Sequence, residues 1–489
     1  MKSNPRRWTR SLLISLLLPL CGCALLTGGR ERVLARQLDE ILNRRASTGA
    51  IVTARVVELP ASRELYARDC DVPFTPASNM KILVSATGLD MFGFDHTFKT
   101  YLAVDGDDLW LIGTGDPAFG DPRLAKRRGA TATGVFDEWA AALEQRGRTR
   151  IAGSLYYYDG ALDAQWVHPA WGGSVLHWYG APVAGLNFND NCVDITIQPT
   201  AAGRPVRYTV APPVTDITVI NECITADKHE PTIEKLAGSN TYKLGGTCAK
   251  AEELKSKPVQ SPGAFAADAL RTHLAAHGIT IAGETRRADA PLGGTIPPPA
   301  DALVAVHETN MRDILGRIDT NSQNMFAEAL CKLTGQAYAA REGRNVPGSW
   351  TDGRQAVHAF LRRCAIDDAR VVVADGSGLS EHNKVTARLL TDLFAVMLAR
   401  PDGDAYVDSF AKGGVNGTLE QRFAGLAGHV FAKTGYIGGV RALSGYVKTY
   451  GGEWLTFSII YNNIPGAVEP YEALQDEAVR LLVRWPDIR

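Results

Sequence analysis

Apolar residues recur at helical spacing over residues 31–46, where Val33, Leu34, Leu38, Ile41 and Leu42 fall on one face, so the segment after Gly28-Gly29 reads as an amphipathic helix. Two strand-like segments follow, 50–59 and 63–67. Then Met80, Ile82, Leu83, Ala86, Leu89, Met91 and Phe92 suit a buried helix entered through Pro76 and Ser78. At the far end, residues 428–433, 440–449 and 453–461 read as three strands with glycine-rich turns, closed by an amphipathic helix over 468–485. The two chain ends therefore supply compatible parts of one antiparallel sheet flanked by helices, an α+β unit.

The pattern changes between them. Short strands are predicted at 99–104, 108–112 and 151–158, with a helix at 137–146, and residues 186–257 are strand-rich with proline and glycine punctuation. A helix at 264–277 and a strand at 279–285 lead to Pro297-Pro298-Pro299, a stiff boundary. We read 94–185 with 258–299 as an inserted domain with its own core, and 186–257 as a smaller β-rich domain nested inside it. The insertion splits a catalytic unit made of 31–93 and 300–489. Beyond the boundary, helices are predicted at 311–318, 325–333, 353–364 and 386–398, with a tight loop at Asp375-Gly-Ser-Gly-Leu-Ser380.

A length of 489 residues fits two or three domains. The 52 Lys and Arg nearly cancel the 53 Asp and Glu, and no basic run follows the first residues, which argues against a nucleic-acid partner. Lys2, Arg6, Arg7 and Arg10 precede an apolar run over 12–20, the layout of an export leader covering residues 1–22. That run is too short to span a bilayer comfortably. Leu20-Cys21-Gly22-Cys23 resembles a bacterial lipobox, which makes Cys23 the expected lipid-bearing first residue and any membrane contact a lipid anchor; plain cleavage is the alternative. Export would place the chain in the periplasm, or anchored at the outer membrane, with Cys70, Cys192, Cys223, Cys248, Cys331 and Cys364 in an oxidising compartment. Six cysteines allow fifteen connectivities. The pairs Cys223–Cys248 and Cys331–Cys364 are expected because each joins neighbouring elements; the alternative is buried thiols acting as small hydrophobes. No Cys-x-x-Cys or His-Glu-x-x-His spacing occurs, so neither a metal nor another cofactor is expected.

Ser78 and Lys81 are three apart at the start of a predicted helix, so they share a face near the positive end of the helix dipole. A serine hydroxyl becomes a nucleophile only when a base takes its proton, and a lysine can be that base when burial or a second cation keeps it partly neutral. A Ser-x-x-Lys match arises by chance about once in a chain this long. The sequence holds a second, Ser409-Phe-Ala-Lys412. Only Ser78 is followed, in order, by Ser322-Gln323-Asn324 and Lys433-Thr434-Gly435.

That order, with Gly113-Thr-Gly-Asp-Pro117, Asp375-Gly-Ser-Gly-Leu-Ser380 and Asn416-Gly-Thr-Leu419, resembles the class C low-molecular-mass penicillin-binding proteins, the D-alanyl-D-alanine carboxypeptidase/endopeptidase family. The resemblance covers nearly the whole mature chain and implies a transpeptidase/β-lactamase-like domain with a large insertion. It implies that Ser78 attacks the carbonyl between two D-alanines of a peptidoglycan peptide, and is likewise acylated by β-lactams, with Lys81 as proton acceptor. Ser322 would relay a proton to the leaving amine and Asn324 would bond the substrate amide. Lys433 and Thr434 would hold the terminal carboxylate, Gly435 would let the substrate backbone approach, and the N–H groups of Ser78 and Tyr436 would form the oxyanion hole. Gln323 and Tyr436 depart from the commoner family residues; Gln323 is expected to point away from the pocket and Tyr436 to narrow its mouth. An acidic residue of the insertion, Asp159 or Asp116, would meet the amino group of the peptide side chain, unless it is a solvated surface carboxylate. The competing readings are a serine β-lactamase and a wall-binding protein without catalysis.

Overall fold

The structure, a computed structural model, describes residues 20–488. The expected leader lies outside the described residues up to position 19, as does the side chain of Cys23. No described helix is long and apolar enough to cross a membrane.

The main sheet has six strands in the order Ala411–Lys412, Val430–Ile437, Val440–Lys448, Trp454–Asn462, Ile51–Leu59 and Arg63–Arg68. Ile51–Leu59 pairs antiparallel with Trp454–Asn462 along its whole length, from Ile51 against Asn462 to Leu59 against Trp454. The period of two that sends alternate side chains to opposite faces is visible on the central strands. Ala442, Tyr446 and Ile460 enter one hydrophobic cluster, while Leu443, Val447, Leu455, Phe457 and Ile459 enter another. The second cluster is closed by helices from the two chain ends, α1 (Leu20–Asn43) and α9 (Glu469–Val483). Helix α1 begins before the predicted position and runs through Gly28 and Gly29, which weaken a helix by about 1 kcal/mol each without forbidding it.

The first cluster contains α2 (Met80–Phe92), which is buried over its first ten residues, Met80 to Leu89. Being apolar on every side, α2 needs a complete jacket. It packs against helices supplied from beyond the insertion: α5 (Met311–Asp319), α6 (Asn324–Arg341), α7 (Trp350–Arg363) and α8 (Ala387–Leu398).

The intervening block builds a five-stranded sheet in the order Thr285–Arg287, Leu155–Tyr158, Asp108–Gly113, Thr97–Asp105 and Leu303–Asn310. The chain does not leave this sheet at the three prolines, because Leu303–Asn310 pairs with Thr97–Asp105. The predicted strand at 279–285 is two short pieces, Thr280–Ile281 and Thr285–Arg287, separated at Ala282-Gly283-Glu284. Two helices, α3 (Gly134–Gln145) and α4 (Pro262–Ala276), accompany this sheet. Residues 186–257 form short strands joined by turns, and their Ile195, Tyr242 and Leu244 share one cluster with Trp139 of α3 and Leu270 of α4.

All six described cysteines are free thiols, so neither expected pairing is present. Geometry explains Cys331 and Cys364. The Cys331 sulfur lies beside Gly353, near the start of α7, whereas Cys364 caps the far end of that helix, about 16 Å further at 1.5 Å per residue. Cys223 and Cys248 are both buried in the cluster of the inserted block, where the Cys248 thiol donates to the Lys250 carbonyl at 3.0 Å.

Candidate active site

Ser78 lies in a single 3-10 turn, Ala77–Asn79, that feeds directly into α2. Lys81 is wholly buried one turn on, and its Nζ donates to Ser78 Oγ at 2.9 Å, to Asn324 Oδ1 at 2.7 Å and to the Ser377 carbonyl at 2.7 Å. Three acceptors surround an ammonium that has no access to water. Asn324 is the first residue of α6, and its Nδ2 donates to the Tyr179 carbonyl at 2.7 Å. Ser322, two residues earlier, sits at φ +61°, an uncommon conformation for a residue with a side chain. Its hydroxyl accepts from Lys433 Nζ at 2.8 Å. The structure thus brings together Ser78, Lys81, Ser322, Asn324 and Lys433 from three distant parts of the chain.

Two devices fix this convergence. Asn79 Nδ2 donates to the Lys433 carbonyl at 2.9 Å and so ties the nucleophile turn to strand Val430–Ile437. Gly435 lies opposite, where an added Cβ would stand 2.8 Å from the Pro76 carbonyl and 3.2 Å from the Ser78 nitrogen. The outer neighbour of this strand, Ala411–Lys412, pairs only with Ala432 and Phe431. From Lys433 onward that edge is open to an incoming peptide strand. Thr434 is half-buried there, and Tyr436 is 58% exposed with the Arg441 guanidinium 5.5 Å from its ring.

The loop at 375–380 is the part whose role its glycines alone did not convey. Asp375 is buried inside it, accepting from the N–H groups of Gly378 and Ser380, from Asn383 and from the Trp171 indole. Glu328 of α6 reaches it from behind, accepting from the N–H groups of Gly376 and Ser377, both at 2.8 Å, and from the Trp350 indole. Gly378, at φ +84°, lies against the nucleophile turn so closely that a Cβ would fall 1.8 Å from the Ala77 carbonyl. The result is a rigid carbonyl at Ser377 aimed at Lys81.

Burial pushes Lys81 down to about 8, against the pull of Glu328, Asp375 and Asp319 toward the charged form. Lys433 is held well below the ordinary lysine range by burial and then by the positive charge of Lys81, with Asp319 opposing. Burial lifts Glu328 to about 7, helped by Asp375, and lifts Asp319 to about 7 against the attraction of Lys433. Two crowded cations in a dry site are the condition under which a lysine gives up its proton near neutral pH.

The insertion also reaches the site. Besides Tyr179, Asp190 accepts from Gln323 Nε2 at 2.8 Å and from Arg317 at 2.9 Å, and Arg317 also donates to Asp121. Gln323 therefore points away from Ser78 and into a buried polar network. Neither acidic candidate of the insertion joins the cluster around Ser78. The Asp159 carboxylate is buried and ion-paired to Arg287 at 2.7 Å. Asp116 is buried beneath Ala118 N–H and Thr309, and burial raises it to about 7. Neither is a solvated surface group.

Glu328, Asp375, Asp319, Ser377, Asp190 and Tyr179 were not singled out from the sequence. Asp375 and Ser377 stood inside a recognisable glycine loop; the others carry no spacing that marks them.

Residues 34–483 match the D-Ala-D-Ala carboxypeptidase 3 (S13) family. The chain is 31% identical over 485 residues to the D-alanyl-D-alanine carboxypeptidase of Actinomadura sp. (strain R39), covering 93% of this chain and 85% of the relative. It is 26% identical over 358 residues to the D-alanyl-D-alanine carboxypeptidase DacB of Haemophilus influenzae, covering 69% of each. Among solved structures, it is similar in fold to penicillin binding protein 4 of H. influenzae, with a TM-score of 0.75 at 21% identity over 92% of this chain and 99% of that one. The same protein complexed with a novel β-lactam gives a TM-score of 0.71.

Proposed function

The chain belongs to the D-Ala-D-Ala carboxypeptidase 3 (S13) family, and from that premise we propose that it hydrolyses the terminal D-alanyl-D-alanine bond of peptidoglycan peptides through an acyl-enzyme on Ser78. The observation that carries the reading is the 2.9 Å contact from the buried Lys81 Nζ to the Ser78 hydroxyl. Neutral Lys81 takes the hydroxyl proton as Ser78 attacks the carbonyl. The developing oxyanion is met by the N–H groups of Ser78 and Tyr436, each donor of this kind contributing about 3 to 4 kcal/mol to the transition state. The proton taken by Lys81 reaches the departing D-alanine nitrogen by relay through the Ser322 hydroxyl, which Lys433 holds. Lys433 and Thr434 receive the terminal carboxylate, and Asn324 and the open strand edge at Gly435 align the peptide backbone. Water then attacks the acyl-enzyme by the reverse proton path.

β-Lactams occupy the same Ser78 as substrate mimics. Turnover of penicillin as the primary activity, and wall binding without catalysis, are not favoured by the family. We further propose that the enzyme trims cross-links as an endopeptidase and that Cys23 carries a lipid on the exported chain. Metabolic fatty-acid labelling of the wild type against Cys23→Ser tests the anchor, and a wild type without label removes it.

The decisive experiment incubates purified protein with a peptide ending in D-Ala-D-Ala and, separately, with penicillin. The expected result is released D-alanine and a single penicillin adduct on Ser78 by mass spectrometry. Neither product from wild-type protein overturns the proposal, and rapid penicillin turnover with an inert peptide transfers the assignment to a β-lactamase. Digestion of sacculi followed by muropeptide separation decides whether cross-links are cut.

A further inference from the structure

Helix α3 packs against strand Leu303–Asn310 and α4 against Leu155–Tyr158, so both lie over the sheet of the inserted block and touch each other. At their junction His273 and His277, one turn apart on α4 (the second at its C-cap), stack with ring centroids 4.7 Å apart and planes at 29°. Asp137, in the first turn of α3, places one carboxylate oxygen 2.7 Å from His273 Nε2 and 3.0 Å from His277 Nε2. The three potential ligand atoms all lie within 4.8 Å of one another.

We propose that Asp137, His273 and His277 form a binding site for a divalent transition metal of the zinc class, with solvent completing the coordination shell. Imidazole nitrogen and carboxylate oxygen are the donors such ions take in sites with an open position. Bonds of about 2.0 to 2.1 Å in a tetrahedral shell place ligand atoms roughly 3.3 Å apart. The two contacts to Asp137 need to open by only a few tenths of an ångström. His277 and Asp137 have side chains 42% and 54% exposed, which lets an ion arrive and three ligands adjust. His273 is 16% exposed and packed against Phe136, which gives the site one fixed ligand. His273 Nε2 hydrogen-bonds one Asp137 oxygen and His277 Nε2 lies 3.0 Å from the same atom; a metal ion gives these three atoms one common partner.

Neither zinc spacing sought in the sequence describes this cluster. His-x3-His at i and i+4 is the helical half of such a site, but no glutamate stands between the histidines, and the third ligand lies far upstream. Bound metal would tie α3 to α4 across the inserted block. The proposal is independent of the chemistry assigned to Ser78.

Purified full-length protein, stripped with chelator and dialysed, is titrated with Co2+ by visible absorption and with Zn2+ by competition and calorimetry. One equivalent should bind with Kd in the low micromolar range or tighter, and Zn2+ should raise the thermal midpoint. His277→Ala should weaken binding by about tenfold or more, and His273→Ala with His277→Ala should abolish it, because each change removes a direct metal–ligand bond. Penicillin labelling of Ser78 reports that each variant is folded, and His277, being exposed, gives a usable variant should the double substitution misfold. Wild-type protein that binds less than one equivalent, or a folded His277→Ala chain that binds as tightly as the wild type, overturns the site.

Discussion

The chain contains the same four-residue pattern twice, and only its surroundings differ. Ser78 and Lys81 lie at the entry to a buried helix, where the lysine has no access to water and meets three acceptors. Ser409 and Lys412 straddle the end of the short helix Gly403–Val407 and the start of strand Ala411–Lys412, so the spacing does not place them on one helical face. The Ser409 hydroxyl donates to the Tyr406 carbonyl at 2.7 Å and to Asp319 at 3.1 Å. Lys412 pairs with Asp408 at 2.9 Å near solvent. A lysine becomes a base when its charged form is made costly, and an exposed ion pair does the reverse.

Five substitutions or conditions sharpen that contrast. Ser78→Ala has the largest effect, a loss of about 10^4-fold or more in D-alanine release and no penicillin adduct. Next comes pH. Lys81 acts neutral, so with its value near 8 the acylation rate should climb as pH rises and level off above that point, falling about tenfold for each unit below it. Stopped-flow acylation by a chromogenic β-lactam across pH 5 to 10 reads this directly, and a flat profile would show that Lys81 is not the base. Gly378→Ala forces a Cβ onto the Ala77 carbonyl and needs a left-handed backbone, so it should cost about 2 to 3 kcal/mol and slow acylation by displacing the Ser377 carbonyl. Thermal unfolding and acylation measured together check both effects.

The second copy of the pattern gives the smallest changes in acylation. Ser409→Ala should leave acylation intact while losing about 1 to 3 kcal/mol of stability, because buried Asp319 forfeits a donor. Lys412→Ala should move stability by no more than about 0.5 kcal/mol. Loss of penicillin labelling in either variant would break the comparison.

The groups that converge around Ser78 were legible because each stands in a short motif and the three motifs come in one order. Asp319 and Glu328 were not, since an acid in a helix has no spacing that says it will be buried beside a lysine. Gln323 was correctly expected to point away from Ser78, but its partner Asp190 lies across the insertion and depends on tertiary folding. Hydrophobic period located every helix named from it, while strand ends failed wherever the chain crossed between sheets. The three prolines looked like a domain boundary because they stop regular structure, yet the next strand returns to the sheet just left. Asp159 offered a carboxylate in the expected region, and the sequence does not show that Arg287 neutralises it.

The placement of strand Ile51–Leu59 has a consequence for the order of events during synthesis. One of its partners, Trp454–Asn462, is the last described strand to be made. Ser78 and Lys81 are synthesised early and must wait, without Ser322 and its partner Lys433 or a complete sheet, until almost the entire polypeptide has emerged. A nascent chain stalled anywhere before that point should be inert toward antibiotic and substrate alike, which would confine the proposed acyl transfer to finished molecules.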